Sequence, residues 1–444
     1  MNKDTILTIL ILLSLLLGVL WGQFGLFDAS VSDEVIAQTV QPYQEIGDLV
    51  FIRPLRMMII PLVFVSVVVG VCAIGDPERL GLLGGATLAY YFTTMAAAVI
   101  LGQVLVNITK PGVGADPTQY ETAAVQAYAT KQVSIEAGQT GGVGGAFQSL
   151  LQDMIPTNPI AAAANGSTLG MVTVGIVFGI ALVMTRDPAR PVIVVFEGMF
   201  QAMIKLVTWI IWLAPIGIFF IVSAKVGQTG FQKLAGPIGL YGLTVVLGLL
   251  IHMLITLPLI LWLLGRTNPY GFLVAVRKPL LMAFSTASSS ATLPVTIEEC
   301  QKKGGCSKRA ANFVLPLGAT VNMDGTALYQ AVAVTFLFQM FGVDLTLTQQ
   351  MSILITAVLA AVGAAGIPSA GLVTMAIVIG AVNQSLVRQG LEPMPLWTIM
   401  IILGVDRILD MCRTAVNVWG DAVGARLITR LAPDTDDERA QALA

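Results

Sequence analysis

The sequence predicts an all-α polytopic membrane protein with eight transmembrane helices and two re-entrant helical hairpins. Charged residues make up 11% of the 444 residues and hydrophobic residues 56%, whereas a soluble domain carries about 25% charge. The mean hydropathy is +0.82, and apolar runs long enough to cross about 30 Å of hydrocarbon recur along the chain. The net charge of −2 offers no basic face to nucleic acid, and four cysteines are too few for a disulfide scaffold.

The longest apolar runs are predicted to be spanning helices. The first follows Lys3 but lacks a small-residue cleavage pattern at its end, which favours a retained helix over a signal peptide. The predicted spans are residues 5–24, 46–74, 82–108, 168–184, 192–222, 237–264, 311–341 and 395–429.

Two further apolar stretches, residues 272–297 and 351–387, are each interrupted near the middle. The first breaks at residues 285–292 (STASSSAT) and the second at residues 363–371 (GAAGIPSAG). Ser and Gly runs with a Pro do not continue a straight helix, and unpaired backbone at membrane depth must face protein or water. We therefore predict two re-entrant hairpins, with two kinked spanning helices as the alternative.

Basic residues outside the spans predict a multi-pass protein of the cell membrane, a bacterial inner membrane by preference, with both termini in the cytoplasm. Most of them then fall on the cytoplasmic side, and the opposite side keeps Lys110, Lys131, Lys225, Lys233 and Arg388. Residues 110–167 are predicted to form an external loop of limited order, and residues 431–444 a solvated acidic tail.

The last predicted span carries a polar stripe. At about 100° per residue its polar side chains share one face roughly 100° wide, and charged groups inside a membrane segment are costly and usually functional. A structural ion-pair seam between helices is the alternative. The stripe consists of Asp406, Asp410, Arg413, Thr414, Asn417 and Asp421.

A second polar group, Asn322-Met-Asp-Gly-Thr326, interrupts the predicted span 311–341. Asn, Asp and Gly favour non-helical backbone, so we predict an unwound helix whose carbonyl oxygens and Asp324 carboxylate suit a small cation. A broken hairpin thus precedes a polar helix twice, which is a weak repeat and points to a transporter's binding site.

Arg413 indicates the chemistry of the ligand. Its planar guanidinium fits a carboxylate, although it could simply pair with Asp406 or Asp410. Amide donors at the hairpin tips could hold a second carboxylate, and the remaining acids could hold an ammonium and a coupling cation. The pattern therefore favours an acidic amino acid as ligand.

Four motifs in this order resemble the dicarboxylate/amino acid:cation symporters over essentially the whole chain: residues 288–296 (SSSATLPVT), 322–326 (NMDGT), 366–371 (GIPSAG) and 406–421. The resemblance implies an inverted-repeat secondary transporter and a homotrimer in membrane lipid, with fixed scaffold and mobile transport domains. The implied scaffold holds helices 1–2 (residues 1–75) and, with the external loop, helices 4–5 (residues 110–235). The implied transport domain holds helix 3 (residues 76–109) and residues 236–430.

The resemblance also implies roles for single residues. Arg413 would bind the substrate side-chain carboxylate, Asp410 the amino group, and Thr414 and Asn417 the amino and main-chain carboxylate groups. The pocket would be lined by Ser288, Ser289, Thr326, Ile367 and Gly371. Na⁺ would be the coupling ion, with no other cofactor. The implied Na⁺ ligands are Gly318, Asn322, Asn417 and Asp421 at one site, Tyr90, Thr93, Thr94, Asn322 and Asp324 at another, and Thr320, Ala361, Val362 and Ala364 at a third.

Taken together, the sequence predicts a secondary-active, Na⁺-coupled importer of aspartate or glutamate that works by an elevator-type alternating-access mechanism. In the family that the sequence resembles, many prokaryotic members carry an Arg at the position of Ala287, and animal members instead carry one at the position of Met411. Both are absent here, which removes a positive neighbour of the site. A proton-coupled C4-dicarboxylate symporter for succinate or fumarate is the alternative, and an anion channel is a further class. An enzyme is disfavoured because the single His, His252, is predicted to be a satisfied core side chain.

Overall fold

A computed structural model of the protein describes residues 3–28, 30–74, 77–118, 154–229, 236–362 and 370–434, with isolated residues between 120 and 152. The regular structure of these residues is helical, without a β-strand among them. The α-helices are α1 (Lys3–Trp21), α2 (Asp33–Gly47), α3 (Arg53–Ile74), α4 (Pro77–Thr109), α5 (Pro159–Ala164), α6 (Thr168–Thr185), α7 (Arg190–Ile211), α8 (Ala214–Thr229), α9 (Gly236–Ile251), α10 (Leu257–Gly265), α11 (Pro269–Ala275), α12 (Arg277–Thr286), α13 (Ser289–Lys302), α14 (Lys308–Val321), α15 (Asp324–Met340), α16 (Leu347–Val362), α17 (Ala370–Arg388) and α18 (Leu403–Ile428).

Short stretches of other helical geometry join several of these helices. Single π-turns at Gly22–Leu26, Asp48–Ile52 and His252–Thr256 continue α1, connect α2 to α3 and connect α9 to α10. A 3₁₀ turn at Leu396–Ile402 leads into α18. The second predicted span is therefore longer than expected, since helical structure runs from Asp33 to Ile74.

The described residues contain six helical segments that are long and apolar enough to cross a membrane: Ile9–Leu26, Glu34–Ala73, Gly81–Thr109, Thr168–Thr185, Asp187–Ile211 and Gly236–Gly265. They support the predicted multi-pass membrane architecture. The predicted spans 311–341 and 395–429 are not among them, because the first is broken into α14 and α15 and the second carries the charged stripe.

The prediction of one continuous span over residues 192–222 is wrong. Trp212 and Leu213 separate α7 from α8, and α8 continues to Thr229. Lys225 therefore lies within α8 and is half-buried, not in an external loop. The helix α8 packs against α1 and α2, whereas α7 packs against α3.

The polar helix α18 lies at the centre of the second half of the chain. It packs against α12, α13, α14 and α15, and α15 packs in turn against α4, α9 and α16. The contacts bury most of α18, α14 and α15, so their polar side chains face protein rather than lipid.

Helices α12 and α13 pack against each other and are joined by only Ala287 and Ser288. The interruption is shorter than the predicted 285–292, because Ser289 already begins α13. Helices α16 and α17 also pack against each other. Residues 363–369, which hold most of the second predicted interruption, lie outside the described residues, as do the glycines of 141–145 and the tail from 435 onward.

Candidate binding site in the polar core

The polar stripe of α18 is buried, as its spacing predicts. The exposed fraction of Asp406, Asp410, Arg413, Asn417 and Asp421 lies between 1% and 3%. Such burial is expensive for charged groups unless each is paired and hydrogen-bonded. The partners of these side chains therefore define what the core can bind.

Arg413 lies between two carboxylates of its own helix. Its Nε and Nη2 lie 3.0 and 2.9 Å from Asp410 Oδ1, and its Nη1 lies 3.1 Å from Asp406 Oδ1. The guanidinium carbon also lies 4.3 Å from the ring centre of Tyr329, whose hydroxyl donates to Asp406 Oδ1 at 2.8 Å. The ion pairing that the sequence left open is thus present, and it fixes the position of the guanidinium.

The start of α17 approaches the same guanidinium. A Cβ built on Gly371 would lie 3.2 Å from Cζ of Arg413, and the Gly371 carbonyl accepts a hydrogen bond from Gln330 Nε2 at 3.3 Å. Ile367, also predicted to line the pocket, lies outside the described residues.

Ser288 and Ser289 lie at the beginning of α13, which packs against α18. The Ser288 hydroxyl accepts a hydrogen bond from Ala291 N at 3.2 Å and caps the helix. Both serines are buried, with exposed fractions of 7% and 3%. The structure therefore brings the beginnings of two helices, α13 and α17, to the polar face of α18.

Asn417 connects α18 to the beginning of α15. Its Oδ1 accepts from Gly325 N at 2.7 Å, and its Nδ2 lies 3.2 Å from Thr326 Oγ1. Thr414 instead donates to the carbonyl of Asp410 in its own helix at 2.7 Å. The predicted break is confirmed here, since Asn322 and Met323 are non-helical between α14 and α15.

Asn322 and Asp421 form the centre of a second polar cluster. Asn322 Nδ2 donates to Asp421 Oδ1 at 3.0 Å, and Thr94 Oγ1 lies 3.4 Å from Asn322 Oδ1. Gly318 and Gly420 permit this approach, because a Cβ at either position would overlap Asp421 or Asp324. All the side chains of this cluster are at least 97% buried.

Only some of the other predicted cation ligands contact this cluster. Tyr90 donates its hydroxyl to the Gly420 carbonyl at 2.8 Å. The Thr93 side chain is not brought in, since it is exposed and donates to Ala89 O within α4. Thr320 donates to Leu317 O, and Ala361 and Val362 are buried at the end of α16. Ala364 lies outside the described residues.

His252 belongs to the site, which sequence reasoning missed. It begins the π-turn between α9 and α10, and its Nε2 lies 3.2 Å from Asp324 Oδ2, with both side chains fully buried. The prediction of a satisfied core histidine holds for Nε2 alone, because Nδ1 is buried without a hydrogen-bond partner among the described residues. The contact with Asp324 could not be predicted, because the sequence does not show which helix faces His252. π-Turns occur frequently at functional sites.

Lys225 supplies a positive charge near the α18 carboxylates from a different helix. Its Nζ lies 3.4 Å from the carbonyl of Ser285, at the end of α12, and within electrostatic range of Asp406 and Asp410. Last-turn carbonyls of a helix attract cations. Lys225 therefore provides part of the positive charge that an Arg at position 287 or 411 would supply.

The core has more carboxyl groups than basic groups. The buried acids are Asp324, Asp406, Asp410 and Asp421. Arg413 is the buried guanidinium beside two of them. Asp324 Oδ1 and Asp406 Oδ2 have no hydrogen-bond partner among the described residues. Carboxyl oxygens without a partner can coordinate an alkali cation or accept from a substrate ammonium, so the residues present fit the predicted ligands.

Comparison with known proteins decides the family. The profile of the sodium:dicarboxylate symporter family matches residues 7–431. The chain belongs to this family. Similar proteins include excitatory amino acid transporter 1 of Ambystoma tigrinum, 34% identical over 420 residues that cover 85% of this chain and 75% of that protein.

Two more relatives of this symporter have comparable similarity. Neutral amino acid transporter B(0) of Oryctolagus cuniculus is 37% identical over 412 residues, covering 87% of this chain and 73% of the relative. Excitatory amino acid transporter 3 of Mus musculus is 36% identical over 418 residues, covering 86% and 78%. These relatives are transporters, which confirms the predictions of a transporter rather than an enzyme and of sodium as the coupling ion.

Proposed function

We propose that this symporter imports an acidic amino acid, aspartate or glutamate, together with Na⁺. The observation that carries the proposal is the position of Arg413, a buried guanidinium held by Asp406 and Asp410 and faced by Gly371. A fixed fork at this place suits the side-chain carboxylate of the substrate. Asp410 would then also pair with the substrate ammonium. A diacid without an amino group would have no use for this carboxylate.

The remaining substrate contacts follow from the same geometry. Asn417, Thr414 and Thr326 would contact the amino and main-chain carboxylate groups, and the beginnings of α13 (Ser288, Ser289) and α17 would close over them. Backbone amides at helix beginnings favour a carboxylate. Ile367 and Gly371 would complete the pocket on the side of α17.

Na⁺ would occupy the polar cluster below the substrate. Asp421 with Asn322, Asn417 and the Gly318 carbonyl would hold one ion, and Asp324 with Tyr90, Thr94 and Asn322 another. The unpartnered Asp324 Oδ1 supports the second position. Thr320, Ala361, Val362 and Ala364 would supply carbonyls for a third ion near the end of α16, and the Thr93 side chain would have to rotate to take part.

For the mechanism, we propose the eight-helix, two-hairpin topology of a homotrimeric elevator. The tight α12–α13 connection supports a first re-entrant hairpin, and the contact between α16 and α17 supports a second. Residues 1–75 and 110–235 would form the scaffold, and residues 76–109 and 236–430 the transport domain, which would slide across the membrane. The distribution of basic residues supports cytoplasmic termini in a bacterial inner membrane.

Uptake into liposomes tests the proposal. Radiolabelled aspartate should accumulate with an inward Na⁺ gradient and not with choline in place of Na⁺. Uptake that ignores Na⁺ but follows a pH gradient, with succinate competing as well as aspartate, would instead establish the proton-coupled dicarboxylate symporter.

The relatives include both excitatory and neutral amino acid transporters. We expect Arg413 to separate acidic from neutral substrates in this chain, because its guanidinium pairs with a carboxylate. Arg413→Cys removes the guanidinium that the two aspartates hold, so aspartate should lose the charge-assisted bonds, worth about 1.5–3 kcal/mol each, and competition by aspartate should weaken by tenfold or more. A neutral amino acid should then compete at least as well as in the parent protein. Unchanged competition by aspartate would remove Arg413 from its proposed role.

A further inference from the structure

A cleft lies at the bend between α10 and α11, away from the polar core. Its volume is about 820 Å³, within the range of roughly 300–1,000 Å³ typical of small-ligand sites. One short stretch of chain, residues 255–270, provides its lining. None of the lining residues belongs to the substrate or cation site described above.

The wall of the cleft is apolar and lies within the membrane-spanning segment Gly236–Gly265. Leu259, Trp262 and Leu263 line it with exposed fractions of 49%, 60% and 57%. Large apolar side chains so exposed in a spanning helix face hydrocarbon. Trp262, together with Tyr270 at 55% exposed, is also the residue type that collects where hydrocarbon meets headgroups.

The rim of the cleft is polar and begins one residue beyond that segment. Arg266 adopts a left-handed backbone (φ 45°, ψ 37°) that ends α10 and turns the chain. Its side chain is exposed, and its guanidinium has no hydrogen bond or ion pair with the part of the chain that the structure describes. Two polar lining residues follow: Thr267 donates its hydroxyl to the Gly265 carbonyl at 3.1 Å, and Asn268 uses its Oδ1 to cap α11.

The charge of this end of α10 is positive. No Asp or Glu is among the lining residues, and Arg430 of α18's C-terminal extension donates to the Leu264 carbonyl at 2.6 Å. An unpaired guanidinium above an apolar wall complements an anion that carries a hydrocarbon chain. Basic side chains next to a membrane-spanning segment attract anionic lipid headgroups.

We propose that this cleft binds an anionic phospholipid, with the phosphate at Arg266 and one acyl chain along Leu259, Trp262 and Leu263. The inference goes beyond the transported solute and does not depend on it. The proposed site differs from the general lipid annulus, because it requires a negatively charged headgroup at Arg266 and an acyl chain in contact with Trp262.

The first test is the midpoint of thermal unfolding of the purified protein in detergent. Added dioleoylphosphatidylglycerol should raise the midpoint in a saturable way, and dioleoylphosphatidylcholine should raise it less. Arg266→Asn should abolish most of this difference, and Asn readily adopts the left-handed backbone of this position. The matched control Arg388→Asn, also an exposed arginine at a helix end, should keep it.

Several outcomes would overturn the proposal. An equal rise with both lipids, or a full rise in Arg266→Asn, would show that Arg266 selects no headgroup. Inorganic phosphate alone reproducing the rise would indicate a site for free phosphate. A midpoint that depends on protein concentration in place of lipid would indicate that a second copy covers the cleft.

Quenching by bromine-labelled phosphatidylglycerol gives a second, independent test. The protein has six tryptophans, and Trp209 on α7 is as exposed as Trp262, at 60% each. A bound chain should quench Trp262 at lower lipid concentration, so Trp262→Phe should remove the high-affinity phase and Trp209→Phe should leave it. Equal loss in both variants would reduce the contact to the general annulus.

Discussion

The two carboxylate oxygens of Asp324 have different surroundings. Oδ2 lies against His252 Nε2 at 3.2 Å, and Oδ1 has no hydrogen-bond partner among the described residues. Because Asp324 is a carboxylate acceptor, the histidine nitrogen is assigned as the donor. The contact fixes the orientation of the carboxylate, and the free oxygen is then presented to the proposed cation.

Removing this donor should weaken both stability and Na⁺ binding. His252→Leu leaves a buried carboxylate oxygen unpaired, at a cost of about 1–3 kcal/mol, and lets the carboxylate rotate. His252→Gln keeps a donor and should retain more of both properties. The measurements are the midpoint of thermal unfolding and its Na⁺-dependent rise. If leucine and glutamine variants respond to Na⁺ like the parent protein, His252 does not orient Asp324.

At the residue scale, the features that can be predicted from the sequence are those whose polar residues recur along one helix. Asp406, Asp410, Arg413 and Asp421 share a face because of helical geometry alone, and their burial follows from the cost of charge in lipid. The His252–Asp324 contact depends on how α9 and α10 pack against α15, across 72 residues of sequence. The position of Lys225 could not be predicted for the same reason, because its neighbour Ser285 lies in another helix.

Helix boundaries were predictable where the backbone itself carries the signal. The break at Asn322 and Met323 follows from Asn, Asp and Gly, which favour other conformations than the helix. The α7–α8 break at Trp212 and Leu213 falls in an apolar run and was missed. Its signal is Pro215 in the first turn of α8, a position that proline favours at a helix beginning.

The α12–α13 connection contains an unusual backbone that gives an element-scale prediction. Ala287 is buried and adopts the left-handed region at φ 52°, ψ 39°, which costs a non-glycine residue roughly 1–2 kcal/mol. Ala287→Gly should therefore be neutral or stabilising, since the lost strain offsets the added entropy of the unfolded chain. Ala287→Val should be destabilising by more than this amount, because a β-branched side chain tolerates this region poorly.

Thermal unfolding of the two variants checks this ordering, and Ala291→Gly provides the control. Ala291 is equally buried, but it lies inside α13, where glycine should cost about 0.5–1 kcal/mol. A destabilised Ala287→Gly, comparable to Ala291→Gly, would show that the left-handed turn does not strain the connection.

At the scale of the molecule, two polar contacts join the proposed scaffold to the first proposed hairpin. Thr208 of α7 donates to Glu298 Oε1 of α13 at 3.1 Å, and Lys225 of α8 donates to Ser285 O of α12 at 3.4 Å. A transport domain that slides past the scaffold must break both. Each contact favours the present arrangement by about 1 kcal/mol, so together they can change the ratio of two conformations by tenfold or more.

The double variant Thr208→Val, Lys225→Met should therefore populate the present arrangement less. A cysteine pair at Gly70 of α3 and Asn312 of α14, added after replacement of the native cysteines, reports on it. A Cβ at Gly70 would lie 3.1 Å from that of Asn312, so the two helices must separate by a few tenths of an ångström to reach the Cβ–Cβ distance of about 3.5–4.5 Å in a disulfide. Spontaneous crosslinking should be slower in the double variant. The control pair Thr173→Val, Lys205→Met lies on α6 and α7 and makes neither contact, so it should leave crosslinking unchanged. Equal crosslinking in all three proteins would mean that the two halves hold this arrangement through apolar packing alone, and that the bridging Lys225 acts only on the charge of the core.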